Sequence, residues 1–187
     1  MKPSAATTFR DDWLTNFSSK HLFHELKMLW WLHQSIPPED KTQPEDAYLR
    51  DALVESFVLH LRNLIHFFCL PRDRDDVIAE DFFDDPARWS KSKPLVLKDA
   101  RLRADKELSH LTAMRKDEGD PQKPWDIGGL FREIAGLAEN FVANASQNKL
   151  HAKVRDLVTT PEHLVVTFLA THSHRSNVIV QVATGTL

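Results

Sequence analysis

No glycine falls between Met1 and Glu118, and the whole chain of 187 residues holds five. Sheets built from hairpins need turn residues that tolerate positive φ, and glycine is the usual one. A chain without it is driven toward long elements separated by a few stiff breaks. Proline supplies the breaks. Pro37-Pro38, Pro71, Pro86, Pro94, Pro121 and Pro124 cut the chain into segments, most of which carry the spacing of amphipathic helices.

In the first such segment Leu22, Leu26, Leu29, Trp30, His33 and Ile36 share a face, and Pro37 ends it. Trp31 points to the other side, near His24, Lys27 and Met28, as a half-covered surface aromatic or a partner surface. The spacing predicts a second helix from Asp46 to Cys69, stopped by Pro71. Pro71 to Pro94 is acidic and reads as a long loop with a helical turn or two; it lacks the glycine and ligand alternation of an EF-hand. A third helix is expected from Pro94 to Lys116, with a thin apolar stripe. The fourth has the clearest pattern. Asp126 can cap it, and Ile127, Leu130, Phe131, Ile134, Leu137, Ala138, Phe141, Val142 and Ala145 form a nearly unbroken apolar face.

After Asn148, LVVTFLATH and NVIVQVAT are rich in β-branched residues and flank SHRSN, as strands flank a turn. The expected fold is mainly α: an up-and-down bundle of about four long helices over residues 1–149, with an extended or hairpin-like C-terminal tail over 150–187.

Hydrophobic residues at 42% and charged residues at 27% suit a folded globular chain. A net charge of -3 exerts no global pull on nucleic acid. Cys69, the single cysteine, cannot form an internal disulfide, and with no leader-like N-terminus it points to the cytoplasm. No uninterrupted apolar run reaches the roughly 18 residues of a membrane span. Phosphate-binding glycine loops, dinucleotide fingerprints, serine elbows and zinc-finger pairs are missing, so no cofactor is expected.

The second helix contains ESFVLHLRNLIHFF, Glu55 to Phe68. At about 100° per residue, Arg62, His66 and Leu59 cluster around Glu55, with Asn63, Ser56 and His60 following round the same side. A solvated helix face usually carries flexible Lys and Glu. This arc carries side chains that make directional hydrogen bonds, which suits either a network between helices or a site. Arg62 and His66 are one turn apart. An imidazole can move a proton near neutral pH and a guanidinium can hold a phosphate, so the pair could cleave RNA through attack of a ribose 2′-hydroxyl. The structural alternative is a Glu55–Arg62–His66 network joining helices. A metal site built from His60, His110, His66 and Glu55 is the other rival. No HxxxH or ExxH pair lies on one core helix, so no metal is expected. His172 and His174 fall in the tail. Cys69 beside Phe68 and Leu70 reads as a small hydrophobe, and His110 with Arg115 in SHLTAMR as an anchor for the third helix.

An all-helical bundle with Arg and His close together on one helix resembles the HEPN superfamily. The family motif places a polar residue after the Arg and a longer gap before the His; in R-N-L-I-H, Asn63 matches the polar residue and three residues intervene. The resemblance implies a metal-independent ribonuclease or a defence or toxin-type RNA-processing protein, a homodimer with a composite site, and RNA as partner. Arg62 would bind phosphate, His66 would transfer protons, Glu55 would orient them and Asn63 would hold the scissile group. ESFVLHLRNLIHFF, SHLTAMR and PWDIGGLFREIAGLAENF, spanning Leu49 to Phe141, also look like a bacterial helical family without an assigned activity. The contrasting expectation is a non-catalytic interaction module, antitoxin-like or an accessory subunit, that binds a protein partner.

Overall fold

Ala47–Cys69, labelled α3 below, organises the molecule. The computed structural model describes residues 9–38, 41–89, 94–107 and 124–160, and within them the chain is mainly α-helical. Phe57, Val58, Leu61, Leu64, Ile65 and Phe68 recur at helical spacing on α3 and are buried. Pro44 opens a short 3-10 turn (Pro44–Asp46) that leads into the helix. Leu70, next to Pro71, is extended, as the residue before a proline prefers, and the helix stops there. The Pro44–Cys69 stretch is long and apolar enough to cross a membrane, yet half of its apolar window is buried inside the protein, as in a core helix.

Before it, α1 (Asp11–Phe17) runs through a π turn (Ser18–Leu22) into α2 (Phe23–Ser35). The buried Ser18 hydroxyl donates to the Thr15 carbonyl at 2.9 Å and accepts the His151 amide at 3.0 Å, tying the turn to the far end of the chain. Helix α2 lies antiparallel to α3: Glu25 faces His60 and Asn63, while the Pro37 carbonyl accepts from Arg50 Nε at 3.3 Å. On another side of α3, α4 (Leu95–Glu107) presents the buried Leu97, Ala100 and Ala104. The continuation to Lys116 lies outside the described residues. Asp126 accepts the Gly129 amide at 2.8 Å and so caps α5 (Ile127–Asn144), whose apolar face seals against α2, α3 and α4.

Two expectations need amending. The acidic connection between α3 and α4 does form a loop with short 3-10 turns at Ala79–Phe82 and Pro86–Arg88, but it also completes the core. Phe82, Phe83 and Trp89 are buried around Phe141, and Trp89 Nε1 donates to the Phe68 carbonyl at 2.9 Å. The extended tail does not begin at 150. Ala152–Thr159 is a helix, α6, because Val154, Leu157 and Val158 share a buried face, and Arg155 donates to the carbonyls of Val142, Ala145 and Ser146 where α5 runs out of helical partners. The strand-like segments that follow lie outside the described residues.

Candidate functional site

The single polar arc read along α3 becomes two seams. His60 and Asn63 point about 110° away from Arg62 and His66 around the helix axis, and a different neighbour meets each pair. His60 Nδ1 lies 2.8 Å from Glu25 Oε2 on α2, and Asn63 Nδ2 donates to the same oxygen at 3.2 Å. Arg62 Nε instead donates to Asp105 Oδ1 on α4 at 2.6 Å. Glu55, placed by periodicity beside Arg62 and His66, sits two turns earlier and is exposed, with no hydrogen bond or ion pair among the described residues. The carboxylate that meets Arg62 is Asp105 rather than Glu55, and Asn63 is held by Glu25.

In the α3–α4 seam, Asp105 bridges two guanidiniums, since Arg101 also approaches its second oxygen at 3.4 Å. The Arg62 and Asp105 side chains are about one third exposed, at 33% and 32%, so the seam opens to solvent. His66 lies deeper: its Nε2 is buried and has no hydrogen-bond partner among the described residues. Burial first, then the charges of Arg62 and Arg101, hold its imidazole below the ordinary histidine range, against weaker opposing pulls from Asp105 and Asp76. The field at the ring is therefore positive, and the ring is neutral at neutral pH. Such a seam can receive an anion on its guanidiniums and a proton on its imidazole.

This electrostatics has a measurable effect on stability. His33, stacked on Phe131 with ring centroids 3.9 Å apart, is also lowered, by burial and then by Arg132. Just below pH 6.5, the ordinary histidine value from which both are lowered, an unfolded chain binds more protons at these positions than the folded one. Their contribution is complete above that value and is lost as pH falls from it through the lower folded-state values. Urea midpoints are expected to drop between about pH 7.5 and about pH 5.5, and His33→Gln with His66→Gln to flatten the drop. A midpoint insensitive to pH across that range in the parent protein would contradict the assignment.

In the α2–α3 seam, burial pushes the Glu25 carboxyl up, but hydrogen bonds from His60 and Asn63 and the charges of His60 and His24 outweigh it and leave it below the ordinary carboxylate range. His60 is 8% exposed, and the His24 ring meets it edge-on at 5.6 Å.

The quartet of His60, His110, His66 and Glu55 does not assemble. His60 turns to α2, His66 to α4 and Glu55 to solvent, while His110, Arg115, His172 and His174 lie outside the described residues. Cys69 is buried, in keeping with a packing role. The site residues that periodicity along α3 missed are Asp105, Arg101, Glu25 and His24. Arg101 and Asp105 are themselves one turn apart, a pairing visible in the sequence, but nothing local says which helix they face. Comparison with protein-family models, curated proteins and solved structures gives no match for this chain.

Proposed function

We propose that this chain is an HEPN-like, metal-independent ribonuclease of the defence or toxin type, with its site in the α3–α4 seam. One observation carries the reading: a neutral imidazole, His66, held beside the guanidiniums of Arg62 and Arg101 in a seam that is open at Arg62. In the reaction His66 accepts the proton of a ribose 2′-hydroxyl, and the 2′-oxygen forms a bond to the adjacent phosphorus. The bond to the 5′-oxygen breaks, and the imidazolium returns the proton to that leaving group. Arg62 binds the non-bridging oxygens in place of Asp105, whose carboxylate holds the guanidinium ready until RNA arrives. The products are a 2′,3′-cyclic phosphate and a 5′-hydroxyl.

A homodimer in the cytoplasm is part of this reading. Tyr48 and Leu59, 87% and 50% exposed, lie on the same side of α3 as Arg62 and His66. A second copy seated there would cover this apolar surface and bring two Arg62–His66 pairs toward one RNA strand. The buried Nε2 of His66 and the closed Arg62–Asp105 pair favour a second reading, a non-catalytic interaction module in which the seam only joins helices. An assay on single-stranded RNA in the presence of a chelator separates the two. The parent protein is expected to release fragments with cyclic phosphate ends and His66→Ala is expected to lose this activity. Intact RNA after incubation with the parent protein, or equal cleavage by both, overturns the nuclease and leaves the module.

A further inference from the structure

We propose that His24, Glu25 and His60 form a binding site for a divalent transition-metal ion of the zinc class, in the seam between α2 and α3. The three residues each offer one ligand atom, and all three atoms lie within 4.8 Å of one another. A tetrahedral zinc ion, with bonds of about 2.0–2.2 Å, spaces its ligands about 3.4 Å apart. Glu25 Oε2 and His60 Nδ1, at 2.8 Å, separate slightly to admit the ion. The exposed His24 ring moves inward by about an ångström, a rotamer adjustment rather than a rearrangement of the helices.

The donor set fits the ion. Two imidazoles and one carboxylate are the ligands that zinc takes when a fourth position is left for water, and of the three residues His24 is the exposed one. Asn63 donates to the Glu25 carboxylate at 3.2 Å and steadies it in the orientation a ligand needs. His24 makes no hydrogen bond among the described residues, so both of its ring nitrogens remain available. A plain interhelical network would need only Glu25, His60 and Asn63. The third nitrogen-bearing side chain, turned to the same point, is what distinguishes a metal site.

This inference does not rest on the nuclease reading, which uses α4 and no metal. The test is titration of the untagged, chelator-treated full chain with Zn²⁺ alone, followed by calorimetry and by thermal unfolding. One ion is expected to bind per chain with Kd below about 10 μM and to raise Tm. His24→Ala, at an exposed position, is expected to leave the metal-free Tm unchanged and to weaken binding at least about tenfold. Glu25→Gln keeps an acceptor for His60 and Asn63, and is expected to weaken binding likewise. Absence of saturable binding by the parent protein overturns the proposal. So does binding of equal strength by both variants, which would place the ion elsewhere.

Discussion

Truncating Phe141 to alanine is expected to remove about 4–5 kcal/mol of folding stability, the upper end of what a buried phenylalanine is worth. The ring is fully buried and lies within 5.4–6.0 Å of Phe67, Phe68, Phe82, Phe83 and Trp89, centroid to centroid. These rings come from α3 and from the connection to α4, so Phe141 fastens α5 to both. Rigid aromatic neighbours, one of them anchored by the Trp89–Phe68 hydrogen bond, cannot close over the space left behind. Since a domain of this kind holds only about 5–15 kcal/mol in total, the variant should be largely unfolded in mild urea. Phe141→Leu fills most of the volume and is expected to cost much less. Equilibrium urea unfolding decides the matter, and a loss below about 2 kcal/mol for the alanine variant would show that the cluster repacks.

The second large effect concerns the proposed reaction. Arg62→Ala is expected to slow RNA cleavage by about 10²–10³, because the charge that meets the developing phosphorane is gone, and His66→Ala by about 10²–10⁴. The Arg62 variant carries a further signature. Arg62 is the strongest of the charges that lower His66, after burial itself, so its removal lets the imidazole pKa rise. The acid limb of the rate profile should then move to higher pH. Arg62→Lys keeps the charge and should keep that limb in place while recovering only part of the rate, since an ammonium lacks the planar fork. The ion pair with Asp105, one third exposed, contributes at most about 1 kcal/mol to stability. An Arg62→Ala variant that remains folded, cleaves at the parent rate and keeps its pH limb in place would mean that the guanidinium acts on neither the phosphate nor the imidazole.

The limits of α3 and α5 were legible in the chain because their causes are local. Pro71 ends α3, Asp126 starts α5 and the pattern from Ile127 to Val142 buries one face, all within a few residues of where the structure puts them. Residues 150–159 misled for the opposite reason. The β-branched run further on outweighed a short apolar pattern, Val154, Leu157 and Val158, whose helical state depends on docking against α5 and on Arg155 reaching three carbonyls there. A short helix has little intrinsic stability and is made by its contacts. The buried aromatics of the acidic connection were likewise hidden by the charges around them.

By itself, then, the order of residues determined that this protein is helical, where α3 and α5 begin and end, and that Arg62, His66, Asn63, His60 and Glu55 lie along one polar arc of a helix. Only the tertiary structure decided their partners. With α2 on one flank of α3 and α4 on another, His60 and Asn63 meet Glu25, Arg62 meets Asp105, and Glu55 is left facing water. Periodicity assigns an angle around an axis, whereas a hydrogen bond needs a partner at a particular distance and direction, and that partner lies on a helix distant in sequence.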